Sequence, residues 1–196
     1  VFTSTEIVFT SAENGNIGLV QWIESERIRR KESIAELIML TAKNTHWPLV
    51  KYFHQNYALN QTIVDILLNI AMKQNAVFAI PLFWDSRLHP IPRRSAIEKN
   101  FIDAIRQEKF LFAEALLCCK TPPSNTVLTK GFKLALQMQQ FEIAKRIAEN
   151  HPQACLKSAI NQMLVDLMRS NEPDLIHFLG EIENNPITQN ALDNAL

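Results

Sequence analysis

Thr41-Ala42-Lys43-Asn44-Thr45-His46-Trp47-Pro48-Leu49-Val50-Lys51-Tyr52-Phe53 is the stretch on which the reading of this chain turns. Take Ala42 as an anchor. Leu49, Val50 and Phe53 follow it at offsets of 7, 8 and 11 residues. Steps of one and four place these side chains on one face of a helix, which is the face that seeks burial. Pro48 stands in the first turn of that helix, where its missing N–H costs nothing. The polar run Lys43–His46 separates it from an earlier helix ending at the small pair Thr41-Ala42. The stretch therefore predicts two helices joined by a tight turn.

The same pattern recurs along the chain. Anchors at Ala12, Ala42, Ala71, Ile105, Leu136 and Met168 are spaced by 30, 29, 34, 31 and 32 residues. Seven residues beyond each lie Leu19, Leu49, Phe78, Phe112, Ile143 and Leu175. Eight beyond lie Val20, Val50, Ala79, Ala113, Ala144 and Ile176, and eleven beyond lie Ile23, Phe53, Leu82, Leu116, Ile147 and Leu179. All are apolar, so every repeat carries a second helix with a buried stripe. Before the anchors, Thr3, Ser33, Thr62, Ser95, Thr126 and Ser158 read as N-caps of the first helix, since a hydroxyl there accepts a bond from a first-turn amide. Ser33 with Glu36, Thr62 with Asp65 and Ser95 with Glu98 extend to capping boxes. The turns are expected at Gly15-Asn16, Thr45-His46, Gln74-Asn75, Glu108-Lys109, Gln139-Gln140 and Asn171-Glu172. Pro173 opens a helix as Pro48 does, whereas Pro81 predicts a kink or early break in the second helix of the third repeat.

A hairpin with one apolar face cannot bury it alone, so stacking predicts an all-α solenoid of about six hairpins, read as one helical-repeat domain over 1–196. The repeats run over 3–30, 33–60, 62–92, 95–123, 126–155 and 158–184, with 185–196 starting a further helix. That truncated end, and a first residue Val1 in place of Met, read as a chain cut or processed from a longer one.

Ser11-Ala12-Glu13-Asn14-Gly15-Asn16-Ile17-Gly18-Leu19-Val20-Gln21-Trp22-Ile23 resembles the middle of an ankyrin repeat: small residues, a glycine turn, then a Val-Val-Lys-Leu-Leu-like helix. Thr41–Phe53 resembles it too, with Thr45 in place of the glycine. Phe141-Glu142-Ile143-Ala144-Lys145 and Asp174-Leu175-Ile176 keep only the second helix, and the Thr-Pro-Leu-His opening is absent throughout. The resemblance covers most of the chain by period and the first two repeats by motif. It implies a degenerate ankyrin-like array, with a generic α-solenoid as the alternative. Degenerate arrays of this kind resemble domains of effector proteins from intracellular pathogens and of large DNA viruses, which implies a cytoplasmic setting, in a host cell if the parent is a secreted effector.

Composition narrows the function. Twenty Lys and Arg balance twenty Asp and Glu, so the basic excess of a nucleic-acid binder is missing. Four Gly are too few for a turn-dense β fold. The longest apolar run, 76–84, is far short of the roughly 20 residues of a membrane span, and no signal peptide is visible. Cys118, Cys119 and Cys155 form an odd set with two neighbours, which predicts free thiols and a reducing, intracellular compartment. Asn60-Gln61-Thr62 fits a glycosylation sequon, but Thr62 reads better as a helix cap.

No phosphate-binding glycine loop occurs, and His46, His54, His89, His151 and His177 share no metal-binding spacing. No catalytic, cofactor or metal residue is therefore assigned; Asp85, Arg87 and His89 read as ordinary loop polars. The expectation is a non-catalytic scaffold that binds a protein partner, the alternative being a helical accessory or catalytic domain of a larger enzyme or effector. The candidate contact residues are the loop cations Arg29, Arg30, Arg87, Arg93 and Arg94, with Trp84 as an anchor. Arg forks match carboxylates, so an acidic surface is the expected partner. Proline at 90 and 92 stiffens the longest loop, 85–94, and the Trp22, Tyr52 and Pro81 column is read as packing between repeats.

Overall fold

A computed structural model describes residues 10–18, 21, 34–85 and 90–151, and among these the helix signals of the second to fifth repeats are realised as helices. The described residues hold helices, turns and irregular connections, and no strand. In chain order the helices are α1 (Ile34–Lys43), α2 (Trp47–Asn56), α3 (Gln61–Lys73), a 3-10 turn Val77–Ala79, α4 (Leu82–Asp85), α5 (Arg94–Arg106), α6 (Phe110–Leu117), α7 (Asn125–Gln137) and α8 (Phe141–Asn150). Residues 10–13 are helical as well. The chain divides into two compact units, Val1–Ile97 and Glu98–Leu196, with α5 running through the division.

One turn geometry recurs five times among the described residues. Gly15, Thr45, Asn75, Glu108 and Gln139 hold φ of 68°, 66°, 55°, 58° and 57°. The amide one residue later reaches back to a small residue: Asn16 to Ser11 O, His46 to Thr41 O, Ala76 to Ala71 O, Lys109 to Ala104 O and Gln140 to Ala135 O, all at 2.8–2.9 Å. The left-handed residue itself donates to Ala12, Ala42, Met72, Ile105 and Leu136. This paired closure is the Schellman motif, which satisfies the last carbonyls of a helix and reverses the chain. His46, Ala76, Lys109 and Gln140 then take φ near −80° to −93° with ψ of 60–69°, the inverse γ-turn that launches the next helix.

These bonds correct the third repeat by one residue. Its anchor is Met72, equivalent to Ala42 and Ile105, and not Ala71. Counted from Met72, the stripe is Ala79, Ile80 and Phe83, all buried, whereas Phe78 is 69% exposed and Leu82 half-buried. Both registers are apolar, so hydrophobicity alone could not separate them. The break expected at Pro81 is present: the second helix of this repeat is a 3-10 turn before the proline and the short α4 after it.

The N-caps shift as well. Asn60 caps α3, its side chain accepting from Ile63 N at 2.9 Å, and Thr62 lies inside the first turn. Ser95 and Thr126 also fall inside α5 and α7, and Ser124 takes the cap position of α7 without a side-chain cap bond. The boxes dissolve accordingly: Asp65 turns to Arg93, and Glu98 accepts from Ser124 N at 3.0 Å. Thr3, Ser33 and Ser158 lie outside the described residues, as does the sixth repeat.

Packing follows the stripes. In the first compact unit α1 packs on α2 and α3; in the second, α7 packs on α8 and α8 on α6. Leu49, Val50 and Phe53 are buried as expected, as are Phe112, Ala113, Leu116, Ile143, Ala144 and Ile147. Gln74 ties neighbouring turns together. Its Nε2 donates to Ala42 O and Lys43 O at 2.8 and 2.9 Å, and its Oε1 accepts from the Trp47 indole at 3.0 Å. Terminal carbonyls of α1 are thus capped by a residue roughly one repeat later.

Candidate binding surface

The position six residues past each corrected anchor opens the second helix and faces solvent. It holds Gly18, Pro48, Phe78, Leu111 and Glu142, all exposed. Two of these are large apolar residues: Phe78 at 69% and Leu111 at 65%. Single exposed apolar side chains are ordinary on a protein surface, and what marks a use is an apolar patch that several of them share.

In the first compact unit, Phe78 stands edge-on to Trp47 with ring centroids 6.4 Å apart. Trp47 is buried, its indole N–H satisfied by Gln74. In the second, Phe110 is 37% exposed beside Leu111, and a groove of about 410 Å³ opens between two successive turns. Phe110, Met138 and Phe141 give it an apolar floor, and Glu108 and Glu142 line it too. Gln140 also lines it; the residue is buried, and its Oε1 accepts no hydrogen bond among the described residues. A second groove, of about 450 Å³, is lined by Arg106, Thr126, Thr129, Lys130 and Lys133.

The contact residues expected from sequence fall partly outside the described residues. Arg29, Arg30 and Arg87 lie outside the described residues, as do His89 and Trp22. Trp84 is buried at 8% exposure and packs edge-on to Phe83 at 6.3 Å. Arg94 is exposed at the start of α5. Arg93 is tied to its own fold: its Nε and its backbone N–H each donate to an oxygen of Asp65, the latter at 2.9 Å. Gln61 Nε2 donates to Ile91 O at 2.9 Å and to Asp65 at 3.2 Å. The end of the long loop is therefore stapled to the first turn of α3. The Arg93→Glu change would set two carboxylates face to face, so its melting temperature should fall, by roughly 2–4 °C per kcal/mol lost in a chain of this size. A calorimetric scan measures it.

Among the described residues no group of three or more His, Cys, Asp or Glu could hold a metal, and no helix is long and apolar enough to cross a membrane. Cys118 and Cys119 are free thiols, the first exposed. Burial pushes the Cys119 thiol above its ordinary pKa, against the opposing hydrogen bonds of Thr121. Its Sγ–H donates to Leu116 O at 3.0 Å, a packing role at the end of α6. The apolar turn edge was missed in the sequence because Phe78 was counted as core, and Leu111 had no pattern to mark it. Comparison with known protein families, with curated proteins and with solved structures finds no match.

Proposed function

We propose that this chain is a non-catalytic protein-binding module, an ankyrin-like array of helical hairpins that presents its turn edge to a partner. The observation that carries the reading is the exposure of Phe110 and Leu111 at the start of a second helix in the second compact unit, where Phe110, Met138 and Phe141 line a groove. Phe and Met are enriched in protein interfaces relative to the rest of the surface. Stacked repeats of this kind build extended surfaces that are used for binding. The free thiols of Cys118 and Cys119 fit a reducing compartment.

The test places a photo-crosslinking amino acid at position 111 and, as a control, at the exposed position 51, in cells that make the full chain. The expected result is a discrete protein adduct at 111, absent at 51 and lost when Phe110 is changed to Ser. No adduct at 111, or the same adducts at both positions, removes the turn edge as a binding surface. Product release from a small-molecule library by the unmodified chain would instead favour a catalytic domain.

A further inference from the structure

We propose that the groove between α5 and α7 binds an acidic segment of a protein partner, a proposal that rests on the protein-binding reading and gives that partner a chemistry. The groove is assembled from two helices of the second compact unit. Thr126, Thr129, Lys130, Lys133 and Gln137 line it from α7, at steps of three and four that keep them on one face. Arg106, from the last turn of α5, closes the other side.

Three cations line the groove and no carboxylate does. In a chain of twenty basic and twenty acidic residues this is a local excess, not a general one. Lys130 and Lys133 sit three apart on one helix, which sets their charges side by side on the face that lines the groove. Arg106 is held by Asp103 at 3.5 Å across one helical turn, and more than half of its side chain stays open to solvent. Thr129 gives its hydroxyl proton to Asn125 O at 2.9 Å, so Thr126 is the hydroxyl left to donate into the groove. Planar and point cations with a hydroxyl between them match the carboxylates of Asp and Glu.

The shape favours a peptide over a nucleic acid. Three cations neutralise few phosphates, whereas a strand needs a long basic track. The two groove linings are neighbours in sequence: Arg106 is two residues from Glu108, and Gln137 is followed by Met138. A partner chain laid along α7 would place its acids against Lys130 and Lys133 and an apolar side chain against Phe110 and Phe141.

The experiment is fluorescence anisotropy of a short labelled peptide of Asp and Glu ending in one Phe, titrated with the full chain at low salt. A single-stranded oligonucleotide of equal charge serves as competitor. The Lys130→Glu, Lys133→Glu variant should lose at least tenfold in affinity, or about 1.4 kcal/mol. The Lys43→Glu, Lys51→Glu variant changes net charge equally at exposed sites of the other unit and should bind as the parent does. If the double variant fails to fold by circular dichroism, Lys130→Gln alone should still weaken binding severalfold. Equal losses in both charge variants, no peptide binding, or displacement by the oligonucleotide at equal concentration overturns the proposal. Because the peptide assay needs no cellular partner, its failure beside a retained adduct at position 111 removes this groove and leaves the protein-binding reading in place. Peptide binding without any adduct does the reverse.

Discussion

Thr45 carries a φ of 66° in a β-branched residue, a conformation that L side chains avoid. Its left-handed backbone costs about 1–2 kcal/mol, and it persists because the turn it makes lets α1 and α2 bury their stripes. Glycine removes the steric cost but adds freedom to the unfolded chain, worth roughly 0.5–1 kcal/mol. Thr45→Gly should therefore stabilise the protein by about 0.5–1 kcal/mol, read as a higher urea midpoint. A lower midpoint would mean that the Thr45 side chain supports the turn. Gly15 is the one turn where glycine is irreplaceable for a second reason: a Cβ there would lie 2.5 Å from His46 Nδ1. His46 Nε2 is meanwhile bonded to Glu13 O, so the ring is not free to move aside. The same position in other turns holds Thr45, Asn75, Glu108 and Gln139.

At the scale of the element, α7 shows packing overruling propensity. Gly131 stands in the middle of it, where Ala would be favoured by about 1 kcal/mol in an isolated helix. In the fold a Cβ would meet Phe101 Cε1 at 2.5 Å and Ile105 Cδ1 at 3.1 Å. Phe101 and Ile105 are wholly buried and cannot retreat. The clash wins, and Gly131→Ala should destabilise by about 1–2 kcal/mol net in chemical denaturation. A stabilised variant would show that α5 and α7 can move apart. The second helix of the third repeat makes the complementary point. Its Pro81 splits it, as its sequence demanded, yet Ala79, Ile80 and Phe83 still reach the core because burial constrains the side chains more than the hydrogen-bond ladder does.

For the whole molecule, the helical content and absence of strand among the described residues predict a far-UV circular dichroism spectrum with paired helical minima and no strand contribution. A strand spectrum would contradict the arrangement of turns from which the fold is built. The core is well populated in each compact unit: Phe53 and Leu67 in the first, Phe101, Phe112 and Phe132 in the second, all wholly buried. Phe53→Ala should cost about 3–5 kcal/mol in urea unfolding, the range for a large aromatic removed from a close-packed site.

The helices and, to within one residue, the position of every described turn were legible in the sequence, because each rests on residues close together along the chain. Small residues such as Thr41, Ala104 and Ala135 sit where a helix must end and be crossed, and polar residues such as Thr45 and Glu108 sit where it must reverse. Registers of one residue were not legible. Ala71 and Met72 are both apolar, and only the bonds from Asn75 and Ala76 show which of them occupies which place in the turn. The same limit hid the caps, since Asn60 and Thr62 can each accept a first-turn amide, and only the geometry of α3 selects Asn60. Tertiary structure alone decided exposure and assembly. It turned Phe78 outward and Trp84 inward, paired Arg93 with Asp65, and joined Arg106 to Lys130 and Lys133 across two helices. Periodicity describes the face of one helix, whereas a groove belongs to the space between two, and that space exists only once both have packed.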